Sequence, residues 1–295
     1  MTTATFDGAL RAAAGRSAQW QLILLRLAAL LVFATLFAVV LFVSLPALRA
    51  IVSTHGSIFG ATWDPAQGRF GLLPFVLGSL VASGLALVVS VPLGAACATT
   101  LSELATPPVR RLGRQLLSIY AAIPSVVFGY VGLVLLVPQI AVRTRSPGLG
   151  LGAAAAVLVL VALPTITLLM LDVLESLPRS LREEALALGA TRLSTFRHVV
   201  WPTARPGLLT AALLGLARVL GEALAVQMVV GGAPLPPSSL HTPAATLGSA
   251  LVTELGTLRT GNPHSDALFA MAASLLLASL LVLAITRRLQ RRVPA

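Results

Sequence analysis

Lysine is absent from this chain of 295 residues, in which arginine supplies all 21 basic side chains. A P-loop ATPase needs a lysine that reaches the bound phosphates, and a Schiff base also needs a lysine amine. Both kinds of site are therefore excluded. If the protein takes part in ATP-driven work, a different chain must bind the ATP.

Cysteine, histidine and charge are also scarce. Cys97 is the single cysteine, which excludes a disulfide framework and a thiolate metal site. The four histidines, His55, His198, His241 and His264, are not spaced as metal ligands, so we expect no metal centre and no other cofactor. Charged residues make up 11% of the chain, whereas a soluble domain carries about 25%. A soluble enzyme is therefore excluded.

Long apolar runs are what the chain has instead. Six runs have the length of about 20 residues that a helix needs to cross a hydrocarbon core, and lipid cannot pair with the open backbone of other structures. We predict an all-α membrane protein with a cytoplasmic N-terminal segment (1–26), a six-span domain (27–286) and a basic tail (287–295). The predicted spans are Leu27–Leu45, Phe75–Ala98, Leu116–Val137, Leu149–Leu171, Gly207–Val230 and Ala267–Ile285.

The arginines between the spans indicate the orientation in the membrane. Fifteen lie in the N-terminal segment, the loops after the second and fourth spans and the tail, whereas five lie in the opposite loops. Because cytoplasmic loops are enriched in Arg and Lys, both termini are predicted to be cytoplasmic. This spread argues against a nucleic-acid-binding patch. The first run is longer than the apolar core of a signal peptide, so we expect a span and not a cleaved leader.

The longest cytoplasmic loop, at about 173–205, has the composition of a docking element. Strong helix formers precede Gly189, which can end a helix, and Leu193, Phe196 and Val199 repeat at a spacing of three residues. One interpretation is an amphipathic helix that lies on lipid. The other is a pair of short helices, joined at Gly189, that binds a cytoplasmic partner.

This loop resembles the E-A-A-x-x-x-G-x9-I-x-L-P signature of the permease subunits of type I ABC importers. The resemblance implies a six-helix permease bundle in which the loop is a coupling helix that seats in a groove of an ATPase subunit. It also supplies the ATP-binding partner that a chain without lysine needs. Glu184, Val199 and Trp201 depart from the signature in residue type. The ATPase-coupling residues implied are Glu183, Glu184, Ala185, Gly189, Val199 and Pro202.

A charged pair in the fifth span is the candidate substrate pathway. Arg218 and Glu222 are four residues apart and would share one face of a continuous helix. If that helix begins near Gly207, Arg218 lies about 16 Å along it, near the middle of the membrane. A charge there costs at least about 2.5–3.5 kcal/mol unless it is paired or wetted. Either the pair is structural, or Arg218 offers donors to a tetrahedral oxyanion while Glu222 holds the guanidinium when no anion is bound.

The surrounding segments resemble phosphate-specific ABC permeases of the Pst system, and the outer loops favour the PstC subunit over PstA. The segments are Arg-x-x-Gly-Glu at 218–222, Ala-Ile-Pro-Ser-Val-Val-Phe-Gly at 122–129, Trp-Asp-Pro at 63–65, and Thr246, Leu247, Glu254, Gly256 and His264.

The resemblance to Pst permeases implies phosphate import across a bacterial or archaeal inner membrane, with no covalent chemistry in this chain. It implies three partners: a second permease subunit (PstA-like), an ATPase dimer (PstB-like) and an external phosphate-binding protein (PstS-like). Two alternatives stay open. One is a permease for another oxyanion, such as sulfate or molybdate, and the other is a membrane signalling or scaffold subunit that transports nothing.

Overall fold

The computed structural model describes residues 3–53, 57–257 and 262–290, without the side chains of residues 3–19, 22, 53, 257 and 290. The described chain is almost wholly helical. Five arginine side chains that contribute to the predicted charge bias lie outside this description, namely Arg11, Arg16, Arg259, Arg291 and Arg292. His55 also lies outside it.

The helices follow one another with short connections. The α-helices of the described chain are α1 (Thr3–Ser53), α2 (Leu73–Thr99), α3 (Pro107–Ala121), α4 (Ser125–Val131), α5 (Val137–Thr144), α6 (Leu151–Ser176), α7 (Arg179–Ala187), α8 (Arg192–Thr195), α9 (Trp201–Leu220), α10 (Leu224–Val230), α11 (Leu247–Glu254) and α12 (Pro263–Gln290). π-Helical turns extend α2 (Thr100–Leu104), join α4 to α5 (Gly132–Leu136) and join α8 to α9 (Phe196–Val200). A hairpin of two short strands, β1 (Trp63–Asp64) and β2 (Arg69–Phe70), precedes α2.

Six helical stretches in the described residues are long and apolar enough to cross a membrane, which confirms the predicted all-α fold with six spans. The hairpin precedes the second span directly, whereas Glu103 at the far end of that span contacts Arg182 of α7, so the hairpin and the loop that carries α7 lie at opposite ends of the bundle. We call these the hairpin end and the α7 end. The spans are Ile23–Val52, Leu73–Leu104, Ser125–Thr144, Leu151–Ser176, Arg192–Leu220 and Pro263–Leu289.

The third span begins later than predicted. The sequence placed it at Leu116–Val137, but α3 ends at Ala121 and the span begins at Ser125. Pro124 separates them because proline has no amide hydrogen to donate, and its ψ of 132° lies outside the helical region. The residues before a proline are also disfavoured in the helical conformation. The apolar run therefore contains a helix break that its overall hydrophobicity does not reveal.

The fifth span is shifted as well. It was predicted at Gly207–Val230, but the observed helix runs from Arg192 to Leu220, and α10 is a separate helix. Pro202 lies inside the observed helix, two residues after the π-helical turn ends at Val200. At that turn the amide of Trp201 donates to the carbonyl of Phe196, five residues back. The hydrogen-bond register has therefore already shifted before Pro202, which has no amide hydrogen to donate.

The core of the bundle is built around α6, which is the most buried span. The small residues Ala153, Ala154 and Ala155 line its buried surface near the hairpin end. Small residues allow close approach, and α2, α9 and α10 all pack against α6. At the periphery α1 packs against α12, where the ring of Phe42 meets that of Phe269 edge to face at 5.4 Å.

The hairpin end is closed by an aromatic cluster. The indole of Trp63 packs edge to face against the rings of Phe70, Phe75 and His264, at 5.6, 5.2 and 5.8 Å. The Nε2 atom of His264 lies 3.4 Å from a carboxylate oxygen of Glu254. Residues from the two predicted outer loops therefore come together in space.

α2 touches the chain before α11 at a position that only glycine fits. A Cβ atom at Gly78 would collide with the backbone carbonyl oxygen of Ala245. Next to this contact, the hydroxyl of Ser79 accepts a hydrogen bond from the amide of Leu247 at 2.9 Å. α2 therefore meets the chain before α11 backbone against backbone at Gly78 and is hydrogen-bonded to it through the side chain of Ser79.

We expect Gly78→Ala to lower the unfolding temperature of the purified protein in detergent, because overpacking costs about 1–3 kcal/mol. Gly84→Ala is the matched control, since a Cβ atom there meets nothing within 4 Å and alanine favours a helix by about 1 kcal/mol. Thermal unfolding followed by tryptophan fluorescence compares the two variants. Equal unfolding temperatures would contradict the close approach.

Candidate functional site

The predicted docking loop contains two short helices, α7 and α8, joined at Gly189. The amide of Gly189 donates to the carbonyl of Leu186 at 3.0 Å, and that of Ala190 donates to the carbonyl of Ala185 at 3.1 Å. These are the two hydrogen bonds of a Schellman motif, which ends α7. The φ angle of Gly189 is +85°, which glycine adopts without steric cost. Gly189 therefore sets the angle between α7 and the following helix α8.

The docking loop presents acidic and apolar side chains on its surface. Glu183 and Glu184 are exposed and Ala185 is half-buried. Leu186 and Leu188, which the sequence analysis missed as site residues, are 45% and 90% exposed. Their position among the charged residues of a loop could have indicated their role, because exposed apolar patches mark protein interfaces.

The second half of the signature lies in the fifth span. Val199 is half-buried within the π-helical turn, and Pro202 is exposed in the first turn of α9. Both belong to the continuous helix Arg192–Leu220, which is 29 residues long. At 1.5 Å per residue this helix measures about 43 Å. It connects the docking loop to the candidate pathway directly.

An ion-pair network, also missed by the sequence analysis, joins helix ends at the α7 end. The guanidinium of Arg114 on α3 contacts Asp172 at 2.6 Å and Glu175 at 2.5 Å, both near the end of α6. The guanidinium of Arg182 on α7 contacts Glu103 at 2.7 Å. The hydrogen bond to Asp172, aided by Glu175, raises the pKa of Arg114 above its usual value against the opposing effect of desolvation.

Arg110 caps the second span at the α7 end. Its Nε atom donates to the carbonyl of Leu101 at 2.8 Å, and Nη2 donates to the carbonyl of Ser102 at 2.5 Å. The last carbonyls of a helix have no partner within the helix, so a basic side chain stabilises them. Nε of Arg110 also lies 3.8 Å from Glu175, which links this cap to the Arg114 network.

A cleft of about 960 Å³ lies between the docking loop and the ends of the second span and α6 at the α7 end. Its walls carry apolar side chains together with both arginines and glutamates. Among its lining residues are Glu103, Arg179, Arg182, Arg192, Leu193 and Phe196.

Arg218 and Glu222 do not share a helix face, which corrects the sequence prediction. α9 ends at Leu220, and Glu222 lies in the break Gly221–Ala223 before α10. The prediction assumed a continuous helix, whereas the amide of Glu222 donates to the carbonyl of Val219, three residues back. Among the ion pairs of the described residues, none joins these two side chains.

Each of the two charges has a local setting at the break. A carboxylate oxygen of Glu222 accepts a hydrogen bond from the amide of Ala225 at 3.3 Å, in the first turn of α10. The guanidinium of Arg218 is exposed in the last turn of α9, where the helix dipole favours a cation. The helix begins at Arg192 and not at Gly207, so the predicted depth of 16 Å does not hold. Nearby in sequence, the side-chain oxygen of Gln227 is buried without a partner among the described residues.

Comparison with known proteins identifies the type of protein. Residues 90–294 match the family described as binding-protein-dependent transport system inner membrane component. A probable ABC transporter permease protein from Bacillus subtilis, YqgH, is 36% identical over 90% of this chain and 88% of its own. The phosphate transport system permease protein PstC of Mesorhizobium japonicum is 32% identical over 92% and 89%, and that of Haemophilus influenzae is 32% identical over 88% and 88%.

Solved structures share the fold. One is the inward-facing MetNI methionine ABC transporter, with a TM-score of 0.55, 24% identity and coverage of 76% of this chain and 95% of that chain. Another is a bacterial ABC transporter that imports alginate, with a TM-score of 0.55, 15% identity and coverage of 90% and 96%. Together with the six spans, the family match shows that the chain belongs to the binding-protein-dependent transport system inner membrane components, the multi-pass permease subunits of ABC importers, which work with ATPase and substrate-binding partners.

Proposed function

We propose that this chain is a transmembrane permease subunit of an ATP-driven importer of inorganic phosphate. The observation that carries the proposal is the similarity to PstC proteins from two bacteria over about nine-tenths of the chain. The exposed guanidinium of Arg218 at a helix break supports it, because a planar fork of donors suits a tetrahedral oxyanion. In this role the chain supplies a path and catalyses no covalent reaction.

The α7 end faces the cytoplasm in this proposal, with both termini on the same side. The arginine bias supports this orientation. So does the ion-pair network, which brings arginines from the loops after the second and fourth spans to one end of the bundle. The divisions 1–26, 27–286 and 287–295 are then the cytoplasmic segment, the permease domain and the cytoplasmic tail.

The docking loop is proposed to bind the ATPase. Glu183, Glu184, Ala185 and Gly189 would seat in its groove, while Val199 and Pro202 would carry the motion into the fifth span. The full assembly would contain a PstA-like second permease, a PstB-like ATPase dimer and a PstS-like phosphate-binding protein at the hairpin end. ATP-driven closure of the ATPase dimer would favour one of two alternating conformations of the permease.

Arg218 and Glu222 are proposed to act separately in the pathway. Arg218 would contact the anion, while Glu222, held by the amide of Ala225, would accept a hydrogen bond from a protonated phosphate oxygen. Sulfate at neutral pH has no such proton, so the second carboxylate oxygen of Glu222 would lack a partner beside it, and an unpaired polar atom is costly. This would favour phosphate over sulfate.

Labelled phosphate uptake by proteoliposomes that hold the complete importer tests this role. We expect Arg218→Gln to lower uptake about tenfold or more, because a hydrogen bond from a charged group contributes about 1.5–3 kcal/mol. Glu222→Gln keeps an oxygen for the amide of Ala225 and is expected to lower uptake while weakening the discrimination against sulfate. Arg205→Gln, an exposed position in the same helix, is the control and should leave uptake unchanged.

Full uptake in both pathway variants would overturn the role of Arg218 and Glu222. Uptake of sulfate or molybdate in place of phosphate, by the unmodified importer, would overturn the choice of substrate. An unmodified complex that moves no anion would favour a signalling or scaffold subunit.

Gly189 provides a test of the docking role. A β-branched residue is a strong outlier at φ +85°, so Gly189→Val should cost about 1–2 kcal/mol and redirect α7. We expect binding of the ATPase subunit to weaken about tenfold in a copurification titration. Gly189→Asn is the control, because asparagine tolerates this conformation and a side chain there meets nothing within 4 Å. Equal binding by the two variants would contradict the docking geometry.

A further inference from the structure

We propose that the ion pair between Arg182 and Glu103 is a positioning pair, through which movement of the docking helix α7 is passed to the inner end of the second span. The proposal rests on the proposed function, because it assumes that an ATPase moves α7. It assigns a role to two residues outside the docking signature and outside the pathway pair.

The geometry of the pair is specific. Nη2 of Arg182 donates to one carboxylate oxygen of Glu103 at 2.7 Å, and Nε donates to the other at 3.3 Å. The same Nη2 atom also donates to the carbonyl of Leu174 near the end of α6, at 3.0 Å. A single guanidinium therefore holds two spans at once. A planar fork makes this arrangement possible, which a lysine ammonium could not reproduce.

Arg182 lies on the side of α7 that faces the bundle. Leu181 and Arg182 are half-buried, whereas Glu183 and Glu184 of the docking signature are exposed. The helix thus has one side for a partner and another side for the spans. The Arg182 side chain is 22% exposed and that of Glu103 is 18% exposed, so the pair is largely shielded from solvent.

The attachment of α7 to the second span depends on this pair. α7 packs mainly against its own loop, on α8 and the π-helical turn Phe196–Val200. Among the described residues of α7, Arg182 is the one whose side chain forms hydrogen bonds to the spans. The cleft of about 960 Å³ lies beside the pair, which leaves α7 room to move relative to the ends of α2 and α6.

Glu103 is poorly placed for stability without its partners. It lies in the last turn of a helix, where the dipole disfavours a carboxylate. The hydroxyl of Ser102 donates to it at 3.1 Å, but Arg182 supplies the charge that compensates it. Since shielded ion pairs add little net stability, the role that fits this pair is to fix geometry. The neighbouring Arg110 and Arg114 contacts tie α2, α3 and α6 together, so the inner ends would move as one unit.

The test measures uptake and ATP hydrolysis together in proteoliposomes that hold the complete importer. Arg182→Gln and Glu103→Gln each remove one charge and keep a similar shape. We expect each to lower the phosphate moved per ATP hydrolysed by about fivefold or more, which is a typical effect of lost coupling between sites. The double variant should be no worse than either single variant, because both break the same interaction. Arg182→Lys, which keeps the charge and loses the fork, should fall between Arg182→Gln and the unmodified chain.

Arg111→Gln is the matched control. Arg111 is an exposed arginine of α3, outside the docking loop, and it forms no ion pair with another described residue. Its substitution should leave the ratio of transport to hydrolysis unchanged. Copurification of the ATPase should stay at the unmodified value in all these variants. The unfolding temperature in detergent is expected to fall in Arg182→Gln, because Glu103 is then left without its compensating charge, and to fall less in the double variant, which removes both charges.

Three results would overturn the positioning role. They are an unchanged ratio in Arg182→Gln and Glu103→Gln, effects that multiply in the double variant, and loss of ATPase binding in Arg182→Gln, which would make Arg182 a docking residue. An unmodified complex that hydrolyses ATP in response to its binding protein but moves no phosphate would refute the proposed substrate instead. In that case the Arg182–Glu103 pair is tested by how far Arg182→Gln lowers the ATP hydrolysis that the binding protein stimulates.

Discussion

Hydrocarbon offers no hydrogen-bond partners, so every backbone amide and carbonyl of a membrane span must be paired within the protein. This constraint explains why the described chain is almost wholly helical, and it makes each interruption of a helix informative. The break before α10 is stabilised by the carboxylate of Glu222 on the amide of Ala225. At the α7 end, the second span is capped by the guanidinium of Arg110, which donates to the carbonyls of Leu101 and Ser102. Polar side chains thus occur where the backbone needs them, and the same places are the candidate functional sites.

The continuous helix Arg192–Leu220 joins the two candidate sites into one unit. Val199 and Pro202 of the docking signature lie near one end of it, and Arg218 lies in the last turn at the other. The Arg182–Glu103 pair adds a second connection, from the docking helix to the second span. In the proposed importer, a displacement of the docking loop would therefore move both the helix that ends beside Arg218 and the second span at the α7 end.

Composition and spacing predicted much of this arrangement, and failed where long-range contacts or hidden breaks decide. The number of spans and the helix end at Gly189 followed from local sequence, because the length of an apolar run and a glycine that ends a helix are local properties. The shared helix face of Arg218 and Glu222 was wrong, since spacing of four residues has meaning only on an unbroken helix. The partners Arg182 and Glu103 are 79 residues apart, so only the packing of α7 beside the second span reveals them.

In the proposed importer this chain supplies the path and the docking loop, while a separate subunit supplies the energy. Phosphate uptake is measured in proteoliposomes that contain this chain and its second permease subunit, with ATP inside and the binding protein outside, with and without the ATPase subunit. Uptake is expected only when the ATPase is present, and the permease subunits alone should hydrolyse no ATP. Uptake without the ATPase, or hydrolysis by the permeases by themselves, would refute this division of labour.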